Sequence, residues 1–364
     1  MPDYEIRLQR PSMDGRELGL LKQVLESGNL VEGQMVRAFE DEARRIIGCK
    51  HAIACTSATA GLELALWMDA PPGSEVIVPD FTHPATALAV IRSGMIPVLV
   101  DVDIETWNVT AEHIRKAWTK NTVAAVPVSI FGNPIEYEPI WDLAQEYGFL
   151  LIEDAACSFG SEYKDCKVGS LADVSVFSFH PRKVFATGDG GLITTDDKYF
   201  AKAIRQYKRF GIDEDGQFSG LGTNYRMPEI VGAVAYAQIS RAAEIVEARR
   251  RRAQIYCELL ADVDGVRTQR ITEGGESNYQ ALCVLIDEGV VKRNRIMHEM
   301  RERGIEVQIG TYALHQLPAF RDTKRIGYLT NSQCLYESLL ALPLHNRLTN
   351  DDQCCVVREL ISLL

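Results

Sequence analysis

The sequence predicts an α/β fold: a large domain on a mainly parallel sheet with helices on both faces, followed by a smaller α+β domain. Three observations lead there. Short β-branched runs alternate with helical patterns through the first part of the chain, which argues for crossover units. Beyond about residue 262 the pattern becomes a mixture of strands and helices. The 364 residues, 46% hydrophobic and 24% charged, exceed one ordinary domain and suit a soluble globular protein. The division is placed at residues 1–240 and 241–364.

Apolar spacing predicts amphipathic helices over residues 15–25 and 35–47. Strands are predicted over 51–55, 75–78, 97–102, 123–128 and 149–153, with helices over 59–67, 86–92, 111–118 and 140–147 between them. Ligands of such sheets gather at the carboxyl ends of the strands. Thr56 and Asp154, each just past a predicted strand, would sit on that rim. Pro228 suits the first turn of a helix. From there a single long pattern through Ile230, Val234, Ala237 and Ile245 to Leu259 reads as a spine joining the two domains. A strand over 281–286 and a helix over 291–303 follow it.

A formal net charge of −11 disfavours non-specific binding to nucleic acid or to an anionic membrane, both of which need a basic surface. The run Arg249-Arg250-Arg251-Arg252 is the local exception. It reads as the solvated face of a helix, or more sharply as a diphosphate contact. Nine cysteines at irregular spacing, without Cys-x-x-Cys, argue against a disulfide framework and a zinc site. The N-terminal stretch from Met1 lacks an apolar leader, and no run of about eighteen apolar residues occurs. A cytoplasmic, untargeted protein is expected.

Two segments carry chemistry. Ile152-Glu153-Asp154-Ala155-Ala156 closes a strand, and further on Phe177-Ser178-Phe179-His180-Pro181-Arg182-Lys183 runs into Gly188-Asp189-Gly190-Gly191. Pyridoxal 5'-phosphate chemistry needs a lysine amine for a Schiff base and a carboxylate opposite the pyridine nitrogen. Lys183 and Asp154 fit those roles. A lone lysine is ordinarily solvated and a strand-end aspartate ordinarily caps a helix, so the pairing carries the reading. Thr56-Ser57-Ala58-Thr59-Ala60 lies between a strand and a helix, where free N–H groups and the helix dipole favour an anion, or where Ser57 is a plain N-cap. Gly188, Gly190 and Gly191 read as a tight turn after the lysine loop.

These motifs resemble the DegT/DnrJ/EryC1/StrS family of sugar aminotransferases, which are fold-type I pyridoxal phosphate enzymes. Further matching segments are Ser27-Gly28-Asn29-Leu30-Val31-Glu32-Gly33, Val78-Pro79-Asp80-Phe81-Thr82-His83, Gly222-Thr223-Asn224-Tyr225-Arg226-Met227, Tyr312-Ala313-Leu314-His315 and Leu342-Pro343-Leu344-His345. The resemblance implies that Ser57, Ala58, Thr59 and Ser178 hold the cofactor phosphate. It implies that Asn224 reaches that phosphate from a neighbouring subunit, making a homodimer with shared sites. His83 stands where the family stacks an aromatic residue on the ring, and Cys157 where Gln or His approaches the ring hydroxyl. A thiol there either alters the ring's electronics or fills space. His180, Tyr312 and His315 are implied substrate contacts. The implied reaction moves an amino group from L-glutamate to a nucleotide-diphosphate keto sugar.

Related readings compete. A sugar dehydratase of the same family carries His where Lys183 stands, and a keto-inositol aminotransferase would share every motif. A cysteine desulfurase shares the cofactor fold, but Pro181 and Arg182 interrupt the spacing its lysine segment uses. A regulatory or binding protein on this fold would need a basic recognition face, and no helix-turn-helix pattern is evident. No Gly-x-Gly-x-x-Gly follows a strand, which disfavours a dinucleotide-dependent oxidoreductase.

Overall fold

The computed structural model describes residues 4–67, 70–71 and 73–364; Met1, Pro2 and Asp3 of the stretch inspected for a leader lie outside them. The large sheet contains β1 (His51–Cys55), β2 (Glu75–Pro79), β3 (Ile96–Val100), β4 (Thr122–Ala125), β5 (Leu150–Asp154), β6 (Val174–Ser178) and β7 (Gly191–Thr195). Their spatial order is β1-β7-β6-β5-β4-β2-β3, with Lys324–Arg325 added parallel to β3 at the edge. From β6 to β3 each pairing is parallel, while β7 runs antiparallel to both β6 and β1. The mainly parallel sheet matches expectation. Strands β6 and β7 are additions to it, and both are buried nearly throughout.

Helices cover both faces because alternate strand residues point opposite ways. Ala54, Ile77 and Phe177 join one apolar cluster with Val36 and Phe39, whereas Ile53, Val76, Val78 and Ile193 join another with Leu62 and Leu64. The helices α1 (Arg16–Ser27), α2 (Gln34–Ile47), α3 (Ala58–Ala65), α4 (Pro84–Arg92), α5 (Ala111–Ala117), α6 (Tyr137–Tyr147) and α7 (Lys198–Tyr207) accompany this sheet.

The predicted spine is two helices, α8 (Glu229–Ile239) and α9 (Ala242–Leu260), not one. Arg241 stands at the interruption, as the N-cap of α9. Its side chain turns into the protein, where Nη2 donates to Ser12 O at 2.5 Å and the guanidinium meets Asp14 at 3.0 Å and Glu17 at 3.4 Å. Glu17 also accepts from Gln238 Nε2 at 2.7 Å. Pro228 stands one residue before the helix in an extended conformation, so the first helical residue is Glu229. The Glu229 carboxylate accepts from the backbone N–H groups of Gly33, Met35 and Val36, which caps α2.

Along α9, Ile245 and Val246 pack on the large sheet's core, and Ala253, Tyr256 and Leu260 enter a third cluster. That cluster backs an antiparallel sheet ordered Val266–Thr268, Leu282–Ile286, Leu339–Leu342, Gln308–Ile309, with α10 (Gly289–Glu302), α11 (Thr330–Ser338) and α12 (Asn350–Ile361) around it. The chain's beginning belongs to this region too. Ile6 donates to Gly304 O at 3.1 Å and accepts from Glu306 N at 2.8 Å, so the next residues cross between the two sheets. Among the described residues no helix is long and apolar enough to cross a membrane.

Replacing Arg241 by Met should leave buried Glu17 without its cation. Denaturant unfolding is expected to show a loss of about 3 kcal/mol, and an unchanged midpoint would show that the Arg241–Glu17 pair does not stabilise the fold.

Candidate active site

Asp154 is the last residue of β5 and its neighbour Glu153 faces the other side of the sheet. Burial raises the Glu153 carboxyl, and hydroxyls of Ser129 (2.5 Å), Tyr137 (2.6 Å) and Ser175 (3.0 Å) donate to it. This fixes the strand end from behind. On the open side Asp154 Oδ2 accepts from Thr86 Oγ1 at 2.8 Å, and Oδ1 accepts from Ala156 N at 3.1 Å. A carboxylate has about four acceptor positions, so Asp154 keeps capacity toward the cleft it lines.

Lys183 lines the same cleft, which holds about 210 Å³ and lies between the two sheets. Its Nζ donates to Cys157 Sγ at 3.0 Å. Cys157 is half-buried and its Sγ meets the amine. The lysine sits at the end of a turn closed by Lys183 N donating to His180 O at 2.8 Å. The turn is gripped from outside as well: Gln9 Nε2 donates to Lys183 O (3.1 Å), Gln280 Nε2 donates to Arg182 O (2.7 Å), and Gln280 Oε1 accepts from Val184 N (3.0 Å).

His83 also lines the cleft as the N-cap of α4, its Nδ1 accepting from Ala85 N at 3.2 Å. That bond places the proton of the neutral ring on Nε2. Burial pushes His83 down, and the nearby Lys183 charge adds to the push while Asp154 opposes it. The Tyr312 ring meets the His83 ring edge-on, centroids 6.2 Å apart. His180 is exposed beside the lysine turn, lowered by burial and then by Lys183 and Arg182 against Asp189. His315 is fastened to Asp80: its Nδ1 donates to Oδ2 at 2.7 Å, its backbone N donates to Oδ1 at 2.8 Å, and Gln316 Nε2 approaches its Nε2 at 3.0 Å.

The small-residue segment lies at the neighbouring rim. Strand register aligns Cys55, Gly191 and Ser178 in one row, so the loop 56–59 and Ser178 share that edge. Gly191 is required by close approach, since a Cβ there would come within 2.4 Å of Ser57 O. Ser57 Oγ accepts from Ala60 N at 3.2 Å and so acts as the N-cap, while the other first-turn N–H groups, of Ala58 and Thr59, have no acceptor within the helix. Asn224 is exposed, with its Oδ1 accepting from Arg226 Nε at 3.0 Å, and the adjacent Tyr225 O accepts from Thr56 N at 3.1 Å.

The arginine run is not a solvated face. Arg251 is exposed, but Arg249 is buried and lines the cleft, and Arg250 bonds Ser277 O and Gly160 O. The grip on the lysine turn by Gln9 and Gln280, and the bond from Thr86 to Asp154, were not anticipated. They join residues far apart in sequence, and single Gln or Thr side chains give no periodic signal. Burial of Arg249 had one available sign: it shares a helix face with Val246, Ala253 and Tyr256 at three- and four-residue spacing.

A family model, the DegT/DnrJ/EryC1/StrS aminotransferase family, matches residues 11–361. The protein belongs to this family of enzymes, and its architecture is the fold-type I arrangement. GDP-perosamine synthase from Caulobacter vibrioides is 33% identical over 365 residues, covering 99% of this chain and 98% of that protein. A DegT/DnrJ/EryC1/StrS aminotransferase structure from Brucella abortus superposes with a TM-score of 0.90 at 30% identity, covering 95% and 94% of the two chains. DesI, solved in the presence of its TDP-sugar product, gives a TM-score of 0.91 at 30% identity, covering 100% of this chain and 93% of its own.

His345, past the strand Leu339–Leu342, is buried near Arg249, and its Nδ1 has no partner among the described residues. Burial pushes it down to about 4, with Arg249 and Arg10 adding to the push and Asp352 opposing it. The unfolded ring protonates first, near pH 6.5. Stability from this group is therefore intact above that value and falls as pH drops toward 4. Urea unfolding at pH 7 and pH 5 should show a drop on the order of 2 kcal/mol that His345→Gln reduces; an equal drop in the variant would reject His345 as its source.

Proposed function

We propose that the protein is a pyridoxal phosphate-dependent aminotransferase that moves an amino group from L-glutamate to a nucleotide-linked keto sugar. The observation that carries this is the Lys183 amine and the Asp154 carboxylate facing one cleft at the strand-end rim, in a member of an aminotransferase family. The names of relatives support the sugar class: one is a GDP-perosamine synthase, another was solved with a TDP-sugar product.

The residues present suit the cofactor. Asp154, held by Thr86 and the Ala156 N–H, has acceptor positions left for a protonated ring nitrogen. The N-terminus of α3 and Ser178 supply hydroxyl and N–H donors for a phosphate. When bound, the cofactor supplies an electron sink conjugated to the carbon that carries the amino group. Lys183 Nζ removes the proton from the donor's α-carbon and returns one on the opposite side of the exchange, which requires its neutral form for part of each cycle. Cys157 accepts from the resting amine and so fixes where Nζ waits. His83 offers a flat, neutral face, and Tyr312 backs its ring. His180, Tyr312 and His315 stand on the substrate side in this reading. The exposed Asn224 completes the phosphate site of a second copy, making a cytoplasmic homodimer with shared sites. Lys183, where the related dehydratases carry His, favours transfer over dehydration.

Lys183→Ala should abolish formation of amino sugar, and Asp154→Asn should slow it by orders of magnitude, in assays with nucleotide keto sugars as acceptors. The purified protein supplied with pyridoxal phosphate should show a visible absorption band that L-glutamate bleaches. A Lys183→Ala enzyme working at the normal rate would end this reading.

A further inference from the structure

We infer that Arg249 binds a carboxylate of the amino donor and is a specificity residue of the site, an inference that rests on the aminotransferase reading. Arg249 lies on α9 and is 2% exposed. Its Nε donates to Tyr279 O at 2.5 Å, and Nη2 donates to Gln280 O at 2.5 Å and to Gln9 Oε1 at 3.2 Å. Every one of these acceptors is neutral. No carboxylate pairs with this guanidinium among the described residues, and Nη1 has no acceptor there, although the side chain lines the cleft that Lys183 and Asp154 share.

A buried cation without an anion is costly. Burial alone pulls Arg249 down to about 9, far below an ordinary arginine. The surroundings do not relieve it: Arg182 and Lys183 line the same cleft, and among the described residues Asp154 is the one carboxylate lining it. Burial is the first cause of the lowering at His83, His180 and His345; cations of this group add to it, against Asp154 at His83 and Asp189 at His180. The cleft is therefore built for an anion, and Arg249 is its most desolvated cation, where a charge-assisted bond is strongest.

A carboxylate fits better than a diphosphate. Two of the three guanidinium nitrogens are committed to backbone and amide oxygens, which leaves one edge, enough for a single carboxylate oxygen. A diphosphate would bring two charges and a nucleoside into an interior of about 210 Å³ whose walls are mostly apolar. A small amino acid reaching Lys183 passes within the same space. A contact made with the donor's carboxylate alone separates the two half-reactions.

The test uses the holoenzyme and the variants R249M and R249K. Each half-reaction is followed separately, the first with L-glutamate, L-glutamine and L-alanine, the second with the keto-sugar acceptor. Glutarate binding is titrated in parallel by calorimetry. In R249M, KM for L-glutamate should rise roughly tenfold to a hundredfold, in line with loss of one hydrogen bond to a charged group, and the glutarate Kd should rise by a similar factor. The acceptor half-reaction should keep its KM. R249K should recover part of the loss, since an ammonium keeps the charge but not the planar fork. A loss confined to L-glutamate assigns the side-chain carboxylate; one shared by L-glutamine and L-alanine assigns the α-carboxylate. Loss falling on the acceptor, or equally on both halves, would overturn the inference in favour of a diphosphate contact or a plain clamp on the lysine turn. Unchanged glutarate binding would overturn it too. If the wild-type enzyme reacts with no amino acid, the aminotransferase reading fails, and the glutarate titration alone decides the role of Arg249. R249K settles the matter if R249M does not fold.

Discussion

The grip on the Lys183 turn is the constraint on which the site depends. Lysine is a long, flexible side chain, and a catalytic amine is useful only if its backbone is fixed. Here the backbone of residues 182–184 is held by two glutamine side chains, Gln9 and Gln280, the second lying two residues before the strand Leu282–Ile286 of the smaller sheet. Arg249 ties both of them to the helix between the sheets. Three separate parts of the chain thus meet on one turn. The cleft beside it is lined by residues of all three, which makes the geometry of the amine a property of the whole fold.

Asp154 is fixed by different means. A strand end in a parallel sheet has unpaired backbone, and a carboxylate there could turn back to cap it. The cage around Glu153 on the reverse side, together with Thr86 reaching over from α4, holds the strand end and aims the carboxylate at once. Thr86 lies three residues after His83, so one short helix supplies both the ring facing the cleft and the hydroxyl that orients the acid. The row Cys55, Gly191, Ser178 sets the neighbouring rim by register alone.

Much of this was legible in the sequence and some was not, for physical reasons. The first five strands follow from β-branched runs that alternate with amphipathic helical patterns along the chain. Strands β6 and β7 flank the lysine segment directly, and no helix between them marks their bounds. The single spine helix was a misreading: α8 and α9 share one apolar pattern, and only a contact over more than two hundred residues, from Arg241 to Ser12, shows where they part. The lysine and the aspartate were legible because their chemistry restricts residue type. The residues that hold them were not, since Gln9, Gln280 and Thr86 act through hydrogen bonds that many side chains could make.

Charge placement connects these observations. A chain with net charge −11 gathers Lys183, Arg182 and Arg249 around one cleft with a single facing carboxylate. Burying Arg249 there without a facing anion costs stability. Such an arrangement persists where the cost is offset by an anion that comes and goes. One cleft therefore sets an amine, a carboxylate and a guanidinium with a free edge around the same space, so that a small charged molecule entering it meets all three.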